Sequence, residues 1–176
     1  DPPDKLGLAY ATAKMLDEGA GSRSALGIAN LIDDLGATFN ISVSRDGSRI
    51  SLRVLRRYFD RGFKVLGDVV SRPRFAGEPW QRFKVHWRHV LQRRADAPLA
   101  LAAITARAVL YGYDTPYGHP TTGHLKTAAA IGLADLRQFY RRYWRPDKAL
   151  LVAAGDIDRA ALDAAIARNF GSWRVP

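Results

Sequence analysis

The chain has 176 residues, and at 47% hydrophobic it can bury a sizeable core. With no cysteine, disulfides, thiolate nucleophiles and cysteine-held zinc are excluded. No apolar run approaches the roughly 18 residues of a membrane span. Lysine and arginine outnumber aspartate and glutamate by 27 to 17, a net charge of +10, which admits nucleic acid, an acidic protein or an anionic lipid as partner. Alanine and arginine are both abundant, so GC-rich coding is an equally good source of that charge. Asp1, not methionine, opens the chain, which reads as a processed product or a fragment.

Pro3 opens a stretch that reads as a helix to about Glu18, closed by Gly19-Ala20-Gly21. Ser24 caps a second helix whose apolar face is Leu26, Ile28, Ala29, Ile32 and Leu35, ended by Gly36. Two alternating runs follow. Phe39, Ile41 and Val43 share one face, and Ile50, Leu52 and Val54 share another. Arg45-Asp46-Gly47-Ser48 lies between them, and Asp-Gly between alternating runs is a strong hairpin signal.

Helical spacing returns over Tyr58–Val70, and Pro73 stops it. Pro79 sits in the first turn of a longer helix to about Arg94, and Pro98 starts another to about Tyr111. Residues Gly112 to Gly123 form a loop rich in glycine, proline, tyrosine and histidine. A helix over Leu133–Tyr143, a short buried strand over Ala149–Gly155 and a last helix over Ile157–Phe170 complete the order. A hairpin set among helices is an α+β arrangement.

Candidate chemistry is sparse. His86 and His89 are three apart on the long helix, the spacing of a shared face. Arg82 and Arg93 lie on the same stripe and would repel a cation, so the stripe reads as a solvated basic face opposite Trp80, Phe83, Trp87 and Val90. His119 and His124 fall in or beside the loop. The only glutamates are Glu18, at a helix C-terminus, and Glu78, at a helix start where N-capping accounts for it. There is no nucleophile elbow and no phosphate loop. "RVLRRYFDR" (53–61) and "RQFYRRYWR" (137–145) interleave arginine with aromatics, as a nucleic-acid surface does. In the second, Phe139, Tyr140, Tyr143 and Trp144 also follow a core-facing helical stripe.

The order of "GLAYATAKMLDEG", the hairpin "FNISVSRDGSRISLRVL", "VVSRPRF", "ADAPLALA", "LYGYDTPYGHPTTG", "LADLRQFYRRYWRPDKALLVAAGDID" and "NFGSW" resembles the M16 metallopeptidases, the pitrilysin, insulinase and mitochondrial processing peptidase family. The resemblance implies an α+β M16 (LuxS/MPP-like metallohydrolase) domain, mainly antiparallel sheet packed against several helices. It implies one such domain over residues 1–176, a fragment lacking the family's initial strands and the following domain.

Active members carry an inverted zinc motif, H-x-x-E-H, on the first helix, with two histidine ligands and a glutamate base on one face. Overlaying that motif places the first histidine at Tyr10, the glutamate at Ala13 and the second histidine at Lys14. The third ligand falls near His89–Leu91, where no glutamate stands. The resemblance therefore implies a chain with no catalytic residues and no metal of its own, zinc belonging only to an active partner half that carries H-x-x-E-H. It also implies that Asn40, Ile41, Ser42 and Val43 form an edge strand that receives extended peptide backbone. Homo- or hetero-oligomerisation, through a sheet edge or a helix face near the termini around Trp173, follows from the same reading. Many bacterial relatives of this type are exported, so the resemblance leans towards the periplasm. A purely structural assembly subunit of the same fold, and a basic nucleic-acid-binding domain, are the alternatives.

Overall fold

The computed structural model of the chain describes residues 1–174. A 3-10 turn (Pro3–Lys5) leads into α1 (Leu8–Lys14) and α2 (Ala25–Asp34). The hairpin β1 (Thr38–Val43) and β2 (Ser48–Arg53) follows, then α3 (Phe59–Ser71), α4 (Gly77–Arg94) and α5 (Pro98–Tyr111). The chain ends with α6 (Leu125–Ala130), α7 (Leu133–Tyr143) and α8 (Arg159–Phe170).

The helices form where apolar spacing and punctuation agree. In α2 the Ser24 hydroxyl accepts the Gly27 N–H at 3.1 Å, while Ile28, Ile32 and Leu35 turn inward. Leu26, expected on that face, instead points to solvent. In α3, Phe63, Leu66 and Val69 are buried, as is Gly67, whose missing side chain lets Asn169 of α8 lie against it. The polar exception is Asp68, buried in α3, whose carboxylate holds Arg23 at 3.0 Å and also Arg72. That arrangement ties the turn after α1 to the end of α3.

The expected opening helix is shorter than its apolar pattern. Gly7 adopts φ +97, which separates the 3-10 turn from α1, and Met15 closes the helix before Glu18. A Cβ at Gly7 would stand 2.8 Å from the Trp87 ring, so close approach as well as backbone conformation demands glycine there. Glu78 does not cap α4: Ala76 is the N-cap, and Glu78 pairs with Arg82 one turn on. α6 carries no apolar period long enough to announce itself.

The hairpin pairs Thr38 with Arg53 through Val43 with Ser48, antiparallel. Its two-residue loop is Arg45-Asp46, not Asp46-Gly47. The Ser44 hydroxyl accepts the N–H groups of Asp46 and Gly47, closing the turn without a left-handed residue. Phe39, Ile41 and Val43 face the helices, with Ile50 and Leu52 beside them, and the other face is polar. α1 packs on α7 and β1, α3 on α8 and β2, and α4 on α6.

The α+β class holds, with the sheet, among the described residues, confined to this hairpin. The strand expected over Ala149–Gly155 does not form, and Leu150 and Val152 are exposed rather than buried. A strand exists only by pairing, and no described strand lies beside these residues.

The central packing is aromatic. Trp87 of α4 is 1% exposed, its ring lies 6.0 Å from Tyr10 and 5.5 Å from Phe83, and its indole N–H donates to the Thr122 carbonyl at 3.1 Å. Replacing it with alanine removes that volume and orphans the carbonyl. We expect Trp87→Ala to cost about 4 kcal/mol in urea unfolding; a loss under about 1 kcal/mol would contradict this account of the core.

Candidate functional site

α1 runs alongside β1, and the residues singled out in the sequence lie where the two meet. Tyr10 is half-buried against Phe83 and Trp87, Ala13 is fully buried, and Lys14 is half-buried. The Lys14 ammonium donates to the Ile41 carbonyl of β1 at 3.3 Å. Burial of Tyr10 raises its phenol above the usual range. Asp17, just past α1, is also raised, chiefly by burial, with the Lys14 charge acting in the opposite direction.

The register shows which backbone groups of β1 are free. Ser44 N–H donates to the Gly47 carbonyl at 2.8 Å, so that pair is hydrogen-bonded. Alternation then makes Ser42/Arg49 and Asn40/Ser51 the bonded pairs. The N–H and C=O groups of Phe39, Ile41 and Val43 point away from β2. Of the expected stretch, Ile41 and Val43 thus present backbone to the open edge, while Asn40 and Ser42 spend theirs on the hairpin. The bond from Lys14 to Ile41 lies on that open edge.

The loop "YDTPYGHPTT" (113–122) folds over the hairpin tip. Arg45 donates from Nε to the Tyr117 carbonyl at 3.2 Å and from Nη2 to the His119 carbonyl at 3.0 Å. The Tyr117 hydroxyl donates to the Asp46 carboxylate, and that bond raises the phenol. Between this loop, the start of α1 and the end of β1 lies a cavity of about 330 Å³. The sequence offered the loop as an unusual composition but gave no sign of where it docks.

The other candidates disperse. His86 and His89 are exposed on α4, and Glu18 lies 3.7 Å from Arg82. His119 and His124 approach edge to face with ring centroids 5.7 Å apart. Among the described residues, no group of three or more histidine, aspartate or glutamate side chains is placed to hold a metal. The aromatic run of α7 faces inward, with Tyr140 donating to the Val70 carbonyl at 2.7 Å; Tyr143, expected in that stripe, is exposed. Arg137 donates to the Phe75 carbonyl and Arg145 pairs with Asp147, so several arginines of that cluster serve the fold.

An open strand edge flanked by a helix bearing Tyr10, Ala13 and Lys14 is the architecture of a peptidase-like fold without a metal cluster among its described residues. Residues 1–108 match the family described as insulinase (peptidase family M16), and residues 130–176 match the peptidase M16 inactive domain. The chain belongs to the M16 peptidase family. It is 27% identical over 88% of its length to a non-peptidase homolog, YmxG, of Helicobacter pylori, covering 35% of that protein. It is 27% identical over 96% of its length to an uncharacterized zinc protease of Mycobacterium bovis, covering 38% of that protein. A solved peptidase M16 inactive domain from Pseudomonas fluorescens superposes with a TM-score of 0.87 at 26% identity, over 98% of this chain and 42% of that one. The periplasmic protease PqqL of Escherichia coli shares the fold, with a TM-score of 0.82 at 18% identity over all of this chain and 20% of that one. The chain thus spans less than half the length of these relatives.

Two measurements test the site. Zinc needs three protein ligands and an open water position, and Leu91, in the stretch where the third ligand is expected, is a core residue. We expect Tyr10→His, Ala13→Glu and Lys14→His together to yield no chelator-sensitive peptidase activity, and the unaltered chain to retain no stoichiometric zinc after dialysis; either signal would show a ligand elsewhere. His124, beside the loop, is held below the ordinary histidine value of 6.5 by burial first, then by the Arg94 and His119 charges. A histidine that holds its proton more weakly when folded stabilises the fold while neutral, and that contribution fades as pH falls through the lowered folded value. Stability should therefore fall on acidification below pH 6.5, and His124→Asn should flatten that limb in urea titrations; an unchanged limb would remove His124 from it.

Proposed function

We propose that this chain is a non-catalytic M16-type half that pairs with an active half carrying H-x-x-E-H and helps to form its peptide chamber. The active half is a separate subunit or another part of the same polypeptide. The observation that carries the reading is the open edge of β1 beside α1. Phe39, Ile41 and Val43 turn their backbone groups to that edge, the Ile41 carbonyl shared with Lys14, and the helix that would supply two histidines and a glutamate presents Tyr10, Ala13 and Lys14 instead. Strand addition holds peptide backbone with little regard to sequence.

Exposed apolar side chains support the pairing. Leu99, Val109 and Leu110 of α5, and Leu150 and Val152 of the segment after the 146–148 turn, all point to solvent. Large apolar side chains left in solvent are the raw material of interfaces. The same surface would serve a purely structural assembly role, so activity of the pair separates the two.

Co-expression with an H-x-x-E-H-bearing M16 partner should give a complex with chelator-sensitive peptidase activity. Val43→Pro deletes one N–H on the open edge and leaves the β1–β2 ladder intact, because that N–H points away from β2. It should weaken cleavage of extended peptides by about tenfold, the worth of one backbone bond, without dissociating the complex. A stable but inactive complex would favour the structural role, and undiminished cleavage by the proline variant would refute peptide binding at β1.

A further inference from the structure

The cavity beside Val43 lies where a strand added to β1 would end. Its wall includes Leu6 from the turn before α1, Ala9 from α1, Val43 from β1, and Tyr113, Pro116 and Pro120 from the docked loop. A strand laid along the open edge alternates its side chains between faces, and the residue opposite Val43 projects on the face that Val43 uses. That face is the one towards α1, where Ile41 is buried. We infer that the cavity is a specificity pocket for one large apolar or aromatic side chain of a bound peptide, at the position paired with Val43. The inference rests on the strand-addition reading and deepens it by naming the side chain.

The chemistry of the wall selects this class. The cavity, at about 330 Å³, is at the lower end of ligand sites and suits one large side chain rather than a free-standing ligand. A buried charge on the peptide would need a charged partner, and the acidic and guanidinium side chains of the wall, which also carries Ser44, Thr115, His119 and Thr121, are committed or outward. The Arg45 guanidinium is spent on the carbonyls of Tyr117 and His119. The Asp1 carboxylate accepts the N–H groups of Gly7 and Ala9, each at 2.8 Å. Asp114 is exposed. An uncompensated charge would pay its desolvation with nothing in return, whereas proline, leucine and tyrosine surfaces reward apolar contact.

The pocket is also built rigidly enough to discriminate. Gly123 has φ +69, and a Cβ there would collide with the Leu6 carbonyl, so loop and helix start are in direct backbone contact. Arg94 donates to the Thr122 hydroxyl and the Gly123 carbonyl, each at 2.8 Å, and Thr127 donates to the Leu6 carbonyl at 2.8 Å. The two walls therefore cannot part without breaking these bonds.

The test uses the 176-residue chain and a panel of labelled extended peptides that differ at one central residue: Phe, Leu, Ala, Asp or Lys. Fluorescence anisotropy should show the Phe and Leu peptides bound at least about tenfold more tightly than the Ala peptide, with Asp and Lys weakest. Ala9→Phe fills the cavity from the exposed side of α1. It should erase the preference, and an unchanged far-UV circular dichroism spectrum shows that the variant is folded. Tyr113→Ala, on the loop wall, should reduce the preference by several-fold without touching α1. Equal affinities across the panel, or a preference that survives Ala9→Phe, would overturn the pocket while leaving strand addition standing. Binding of no peptide would overturn both.

Discussion

The position of Trp87 is the constraint on which the site depends. Its indole fills the space above Gly7, touches Tyr10 and grips the Thr122 carbonyl. Three segments far apart in sequence thereby meet at one ring: the start of α1, the middle of α4 and the end of the long loop. Arg94, two turns further along the same face of α4, repeats the grip on Thr122 and Gly123. α1 has only seven residues and has little helical stability of its own. Its direction is set by this packing, and so is the line along which Tyr10, Ala13 and Lys14 approach β1.

The charge at Lys14 has a consequence for how the edge of β1 behaves. An ammonium on a carbonyl at 3.3 Å contributes on the order of 1 kcal/mol net. That is about the worth of a single backbone bond from an incoming strand, and a strand brings several. Lys14 therefore blunts the open edge without closing it, as charged side chains do on other edges. The same substitution places a fixed positive charge beside the position a zinc motif would use. One residue thus both discourages a cation and shields an exposed strand from indiscriminate pairing.

The loop and the hairpin tip show how a surface feature becomes structural. Arg45, in the turn, spends its guanidinium on two loop carbonyls, and Asp46 takes the Tyr117 hydroxyl. A loop of this length without helix or strand needs such anchors, since its backbone groups have few partners of their own. Its short 3-10 turn at Pro116–Gly118 adds one more, with Thr115 Oγ1 accepting the Gly118 N–H. These anchors hold the loop at the hairpin tip, and the cavity lies between that loop, α1 and the end of β1.

Much of this was present in the linear sequence. Apolar spacing announced α2, α3, α4, α7 and α8 to within a few residues, and alternation announced both strands with the correct inward faces. The identities at positions 10, 13 and 14 and the absence of cysteine needed no structure at all. These properties are local: a helix face or a strand face is written within a dozen residues. What the sequence misjudged was each feature that depends on a distant partner. Residues 149–154 have a strand's composition and no strand to pair with. The hairpin turned at Arg45-Asp46 rather than Asp46-Gly47, with Ser44 satisfying the turn and the loop carbonyls holding Arg45. α1 is shorter at both ends, starting only after Gly7, whose φ of +97 and closeness to Trp87 admit no side chain, and closing at Met15. Lys14 meeting Ile41, and a pocket walled by residues 6, 43 and 116, were decided only by tertiary packing, because a contact between segments so far apart leaves no period in either one.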